Sequence, residues 1–177
     1  VRAARPRDNA RVSRKSAKSP ASTPALLALE KAGVAHTPRP YHHDPESPLG
    51  FGMEVATKLG VDPARVYKTL LASVDDRLVV AVVPVSGKLD LKALAAAVGG
   101  KKASMADRDA AERATGYVVG GISPFGQRTA LPTVVDERAL DLDAVVVSAG
   151  RRGLQVEVAP TDLVRLTGAT TAPIGRE

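Results

Sequence analysis

Residues 64–74 read ARVYKTLLASV, and the fold turns on how this stretch is taken. Its β-branched and aliphatic content reads as a strand, in which side chains alternate between two faces. Val66, Lys68, Leu70 and Ala72 then share one face, and Tyr67, Thr69, Leu71 and Ser73 the other. After the Asp75-Asp76 turn comes LVVAVVPV at 78–85, so 66–74 and 78–85 are expected to form a β-hairpin. This places the ammonium of Lys68 in an apolar row. A lone buried ammonium is costly, so an interior Lys68 needs an anion from the protein or from a ligand. The other reading is an edge strand from which Lys68 reaches water along its own stem.

Outward from the hairpin, helices and strands alternate without a strict βαβ rhythm. STPALLALEKAG offers Ser22 or Thr23 as cap, Pro24 in the first turn and Gly33 as stop, predicting a helix over 24–32. Proline-broken 34–41 reads as a short edge strand, and FGMEVATKLG as a second helix ending on Gly60. LDLKALAAAVGG is a helix capped by Asp90, KKASM a short strand, and DRDAAERATG a further capped helix. YVVGGISPFGQ is expected to leave a strand for a loop. LPTVVDERAL, AVVVSAG and LQVEVAP supply strands, and TDLVRLTG a last helix. The expectation is an α+β fold: a mixed, mostly antiparallel sheet surrounded by helices.

Composition narrows the chemistry. The net charge of +6 comes from the first 22 residues, where seven basic side chains face Asp8 alone; the rest holds 18 basic and 18 acidic residues. Residues 1–22 therefore read as a basic, disordered tail and 23–175 as one neutral domain, whose basic patches must arise from local arrangement. No cysteine is present, which excludes disulfides, thiolate metal sites and a cysteine nucleophile. The longest apolar run, LVVAVVPV, is too short to span a bilayer, so no membrane association and a cytoplasmic location are expected. Walker and dinucleotide loops, nucleophile elbows and helical His pairs are missing, and His36, His42 and His43 lack a convincing metal-ligand set. Neither cofactor nor metal is expected.

Two glycine loops remain, GGISPFG at 120–126 and SAGRRG at 148–153, each read as following an apolar strand. Glycine lets backbone N–H groups approach a ligand, and Pro124 holds Ser123 extended, so the loops read either as turns or as two lips of a pocket.

YHHDP, VYKTLL, PVSGKLDLKAL, ATGYVVGGISPFGQ, LPTVVDE and VSAGRRGLQVEV occur in the order and spacing of the YbaK-type aminoacyl-tRNA deacylases. The chain resembles that family, relatives of the editing domain of bacterial prolyl-tRNA synthetase, over residues 23–173, and its free-standing Cys-tRNA(Pro)-clearing branch most of all. The resemblance implies a trans-editing hydrolase for mischarged Cys-tRNA(Pro), with prolyl-tRNA synthetase as a further partner. It implies that Lys68 lies by the 3′-terminal adenosine and its phosphate, and that Gly120 and Gly121 act catalytically on the ester. Tyr41, Thr69, Ile122, Ser123, Ser148, Gly150 and Gly153 are implied as substrate-binding. Gln155 stands where the family pattern has aspartate, and Ala149 where glycine is common; both lie near the pocket lip and bear on which amino acid is preferred more than on the reaction class. Alternatives are a deacylase for another small aminoacyl group such as Ala-tRNA(Pro), a non-catalytic tRNA- or synthetase-binding module, and a binder of small phosphate esters.

Overall fold

The computed structural model describes residues 22–177; the expected basic tail, 1–22, lies outside the described residues except for Ser22. In chain order the elements are α1 (Pro24–Lys31), β1 (His36–Pro40), α2 (Phe51–Leu59), β2 (Tyr67–Val74), β3 (Arg77–Pro84) and β4 (Lys88–Leu89). There follow α3 (Leu91–Ala97), β5 (Ala103–Met105), α4 (Arg108–Thr115), β6 (Thr133–Asp136), β7 (Val145–Arg151) and β8 (Leu154–Val158). The chain closes with α5 (Pro160–Thr167), β9 (Thr170–Ala172) and β10 (Gly175–Arg176).

The β2–β3 hairpin forms as its alternation predicts, with Tyr67 opposite Pro84 and Val74 opposite Arg77. Asp75 and Asp76 both adopt positive φ, the geometry of the tight turns that match strand twist. The Asp75 carboxylate accepts the Lys101 and Lys102 amides, which pins the next strand beside the turn.

The hairpin sits in a five-stranded sheet ordered β5-β2-β3-β6-β9, antiparallel up to β3 and parallel beyond it. A second sheet, β1-β8-β7, is antiparallel throughout, and β4 pairs with β10 as a separate ribbon. The fold is thus α+β with mostly antiparallel pairing, divided over three sheets. The Val66–Val146 bridge brings the hairpin's base against β7. One core lies between the two larger sheets, uniting Tyr67, Leu71 and Val82 with Val147, Val156, Leu29 and Leu163. The other hairpin face, with Ala72, Ala81 and Val83, packs on Leu94 and Ile174. Full burial of a side chain such as Leu94 contributes about 1.5–3 kcal/mol.

Two segments depart from expectation. Tyr117–Val119 is not a strand, because its main-chain groups are taken by side chains: Thr115 Oγ1 accepts the Tyr117 amide and Glu112 the Val119 amide. LPTVVDERAL is a strand only over Thr133–Asp136, after which the Asp136 carboxylate caps a 3-10 turn over Glu137–Asp141.

Thr23 joins α1 to the second sheet. Its hydroxyl accepts the Leu26 amide at 3.2 Å as N-cap and donates to the Ala149 carbonyl at 2.5 Å. Thr23→Val keeps the shape and removes both bonds. It is expected to lower unfolding free energy by about 1–2 kcal/mol in urea denaturation, with an unchanged m-value.

Candidate active site

Strand β5 pairs with β2 only at Ala72, Ser73 and Val74. Val66 and the lower half of β2, Tyr67 to Leu71, line a cavity of about 500 Å³. Its other walls are the start of α2 (Gly50–Met53 and Val55), the β5–α4 corner (Met105, Ala106, Arg108, Ala111), and the loop at Val119, Gly120 and Ile122. Ser148 and Gln155, opposite one another in the β7–β8 ladder, complete it.

Lys68 stands on the aliphatic face of the hairpin, opposite Val83. Its ammonium is half-buried and donates to the Gly87 carbonyl at 3.1 Å. Among the described residues it has no carboxylate partner. Burial, followed by the charge of Lys88, holds its pKa below the usual 10.5. Lys68 thus falls between the two readings: it is half-buried on the half of β2 that β5 leaves unpaired, its ammonium has one carbonyl as company, and the residue lines the cavity. Thr69, also lining, has a buried hydroxyl without a hydrogen-bond partner among the described residues.

The loop 120–126 meets this wall from the other side. Gly120 has φ +90°, and a Cβ there would stand 2.8 Å from both Arg152 Nε and Phe51 Cζ. Any side chain would strain the backbone and break the packing. Arg152 lies over the Phe51 ring at 4.9 Å and donates to the Val119 carbonyl at 2.7 Å, closing the rim. The Gly121 amide is spent on the Val118 carbonyl at 2.9 Å, whereas the amides of Gly120 and Ile122 have no acceptor among the described residues.

Of the residues singled out from sequence, Lys68, Thr69, Gly120, Ile122 and Ser148 line the cavity. Gly121, Ser123, Tyr41, Gly150 and Gly153 stand behind it. Ser123 is fully buried, its hydroxyl accepting the Phe125 amide and its carbonyl the Gln127 side chain, so it stiffens the loop. The Tyr117 hydroxyl donates to the Phe125 carbonyl at 2.7 Å, and a Cβ on Gly150 would meet the Tyr117 ring. The Tyr41 amide donates to the Gly153 carbonyl at 2.9 Å and its ring packs on Val55 and Val66; burial pushes its phenol pKa up. The start of α2 and the β5–α4 corner were missed in the sequence. Their only signal is exposed apolar content, since Phe51, Met53 and Met105 are large apolar side chains left open to solvent.

The α2 wall is held by a buried carboxylate. Glu54 accepts the Asp44 amide at 2.7 Å and lies 2.8 Å from His43 Nδ1, tying YHHDP to the helix. Burial alone would raise the Glu54 pKa, but the Asp44 amide and His43 outweigh it and hold the group below the ordinary 4.5. Among the described residues no His, Cys, Asp or Glu lines the cavity, so neither Ser148 nor Thr69 has an adjacent base there to activate it.

The chain belongs to the aminoacyl-tRNA editing domain family, which matches residues 53–166. It is 43% identical over 122 residues to a candidate Cys-tRNA(Pro)/Cys-tRNA(Cys) deacylase of Enterococcus faecalis, EbsC, covering 68% of this chain and 74% of that protein. The crystal structure of a candidate trans-editing enzyme for prolyl tRNA synthetase superposes with a TM-score of 0.78 at 25% identity, over 91% of this chain and 100% of that one. Hypothetical protein APE2540 shares the fold, with a TM-score of 0.77 at 24% identity over 87% of this chain and 100% of that one. Among the described residues no helix is long and apolar enough to cross a membrane.

A carboxyl with a depressed folded pKa stabilises fully above its unfolded value, and that contribution fades as pH falls through the folded one. Glu54→Gln is therefore expected to destabilise at pH 7, and the gap to wild type to shrink below the ordinary 4.5, as read by urea denaturation across pH.

Proposed function

We propose that the protein is a trans-acting aminoacyl-tRNA deacylase that clears cysteine from Cys-tRNA(Pro). The observation that carries this reading is the single cavity joining an unneutralised ammonium, Lys68, to a glycine loop with unspent amides at Gly120 and Ile122. A phosphate supplies the anion that Lys68 lacks. The loop amides face the ester carbonyl, where negative charge develops during cleavage. Cysteine and proline are close in size, so a synthetase pocket discriminates them poorly and a second site must remove the error. The assignment of cysteine follows the E. faecalis relative and the family resemblance.

The substrate's own thiol is the nucleophile. Its sulfur attacks the ester carbonyl, the C–S bond forms as the C–O bond to the ribose breaks, and the thiol proton ends on the released ribose oxygen. The product is a cyclic thioester, which water opens to free cysteine. The protein's part is orientation and oxyanion stabilisation, which matches a cavity lined by no histidine or carboxylate among the described residues. Lys68 holds the terminal nucleotide; Thr69, Ser148 and Gln155 form its polar floor. Gln155 favours a second reading, in which another small aminoacyl group such as alanine is cleared, because an uncharged amide here replaces the family's carboxylate. Association with prolyl-tRNA synthetase in the cytoplasm would supply tRNA(Pro) selectivity that a domain of balanced charge lacks.

Lys68→Ala is expected to reduce deacylation at least a hundredfold with an unchanged thermal midpoint; full turnover in this variant would remove the lysine from the mechanism. In a panel of Cys-, Ala- and Pro-tRNA(Pro), ester loss should be fastest for cysteine and should collapse when its sulfur is methylated. Preference for alanine, indifferent to thiol chemistry, would establish the second reading instead.

A further inference from the structure

The ribbon of β4 and β10 lies directly beside Lys68. The Gly87 carbonyl that accepts the Lys68 ammonium precedes β4, and a Cβ on Gly87 would stand 2.6 Å from the Arg176 carbonyl. Within the ribbon Arg176 is paired with Lys88. Directly opposed residues of an antiparallel ladder project to the same side, and like charges in that position are destabilising. Both side chains are exposed, and neither makes an ion pair among the described residues. Lys88 also acts on Lys68, whose charged form it disfavours.

The ribbon is not a loose end. The Asp90 amide donates to the Ile174 carbonyl at 2.7 Å, and Ile174 is fully buried. The Gly175 amide donates at 2.7 Å to the buried Asp136 carboxylate, which is also paired with Arg138 at 2.7 Å. A firmly anchored ribbon thus holds two cations face to face, in a folded part whose charge is balanced overall. Arg176 lies beyond the 53–166 stretch that the family matches.

We propose that Lys88 and Arg176 form a landing surface for the RNA backbone, taking the phosphates that precede the terminal nucleotide held by Lys68. This rests on the deacylase reading above and extends it outside the cavity. A polyanion removes the repulsion between the two cations and converts an unfavourable pair into a binding one. Of the acidic neighbours, Asp90 caps α3 through the Ala93 amide and Asp136 is held by Arg138 and Gly175, while exposed Glu177, next in the chain, acts on Arg138 and makes no ion pair with Lys88 or Arg176 among the described residues.

The test compares Lys88→Gln, Arg176→Gln and the double variant on two substrates, cysteinyl-tRNA(Pro) and 3′-O-cysteinyl-adenosine, which carries no phosphate. On the tRNA, each single variant should raise KM about five- to tenfold at low salt and lower the slope of log(kcat/KM) against log[salt] by about one. The loss should be confined to the phosphate-bearing substrate. Thermal midpoints should hold or rise, since a repulsive pair has been relieved; a purely structural ribbon would instead lose stability. A double variant with wild-type KM and salt slope on tRNA would overturn the proposal, as would equal losses on both substrates. Should the wild type cleave neither ester, binding of the uncharged tRNA decides: the variants must still weaken it and flatten its salt dependence.

Discussion

Strand β5 releases β2 after Ala72, and the uncovered half-strand below it is the constraint on which the rest of the site depends. A sheet edge left open inside a protein must be closed by something, because buried backbone groups need partners. Here Val66 bridges to β7, the Ala106 amide bonds the Leu71 carbonyl, and between them the edge is left to a cavity. Lys68 occupies that gap on the aliphatic side and Thr69 on the other. The same opening explains why an ammonium is tolerated at a half-buried position and why a hydroxyl beside it lacks a partner.

The second sheet supplies what the first cannot. Ser148 and Gln155 face the open edge from the β7–β8 ladder, whose register shifts between Ser148 and Arg151. That irregularity frees Arg151 and Arg152 to turn back toward the glycine loop. Gly121 packs its α-carbon region on the Arg151 backbone, so the two loops read as lips are in contact. Of the residues behind the cavity, Tyr41 and Ser123 act through others. One fixes the turn at Gly153, and the other fixes the loop beyond Ile122.

Much of this was legible in the chain because local rules and tertiary packing agree there. Hairpin alternation, the Thr23 and Asp90 caps, and the glycine stop at Gly60 all carry local physics, and each appears where the pattern puts it. Tyr117–Val119 failed because a valine-rich triplet signals a strand only if its amides have a ladder to join. Glu112, one turn before the end of α4, captures one of them first. The α2 wall was illegible for a related reason: Phe51 and Met53 look like ordinary helix core residues until the fold leaves them facing a cleft. Pairings between distant segments, such as β10 with β4, have no periodic signature at two residues each.

Val119 is held at both of its polar atoms by groups of opposite sign. The Glu112 carboxylate draws its N–H, and the Arg152 guanidinium draws its carbonyl. A residue gripped in this way cannot swivel, and it is the hinge from which Gly120 departs. Gly120 and Gly121, which follow it, therefore start from a fixed origin. The loop that lines the cavity thus leaves α4 from a point fixed in the folded chain, and the entropy of ordering this wall is spent on folding rather than on any later encounter.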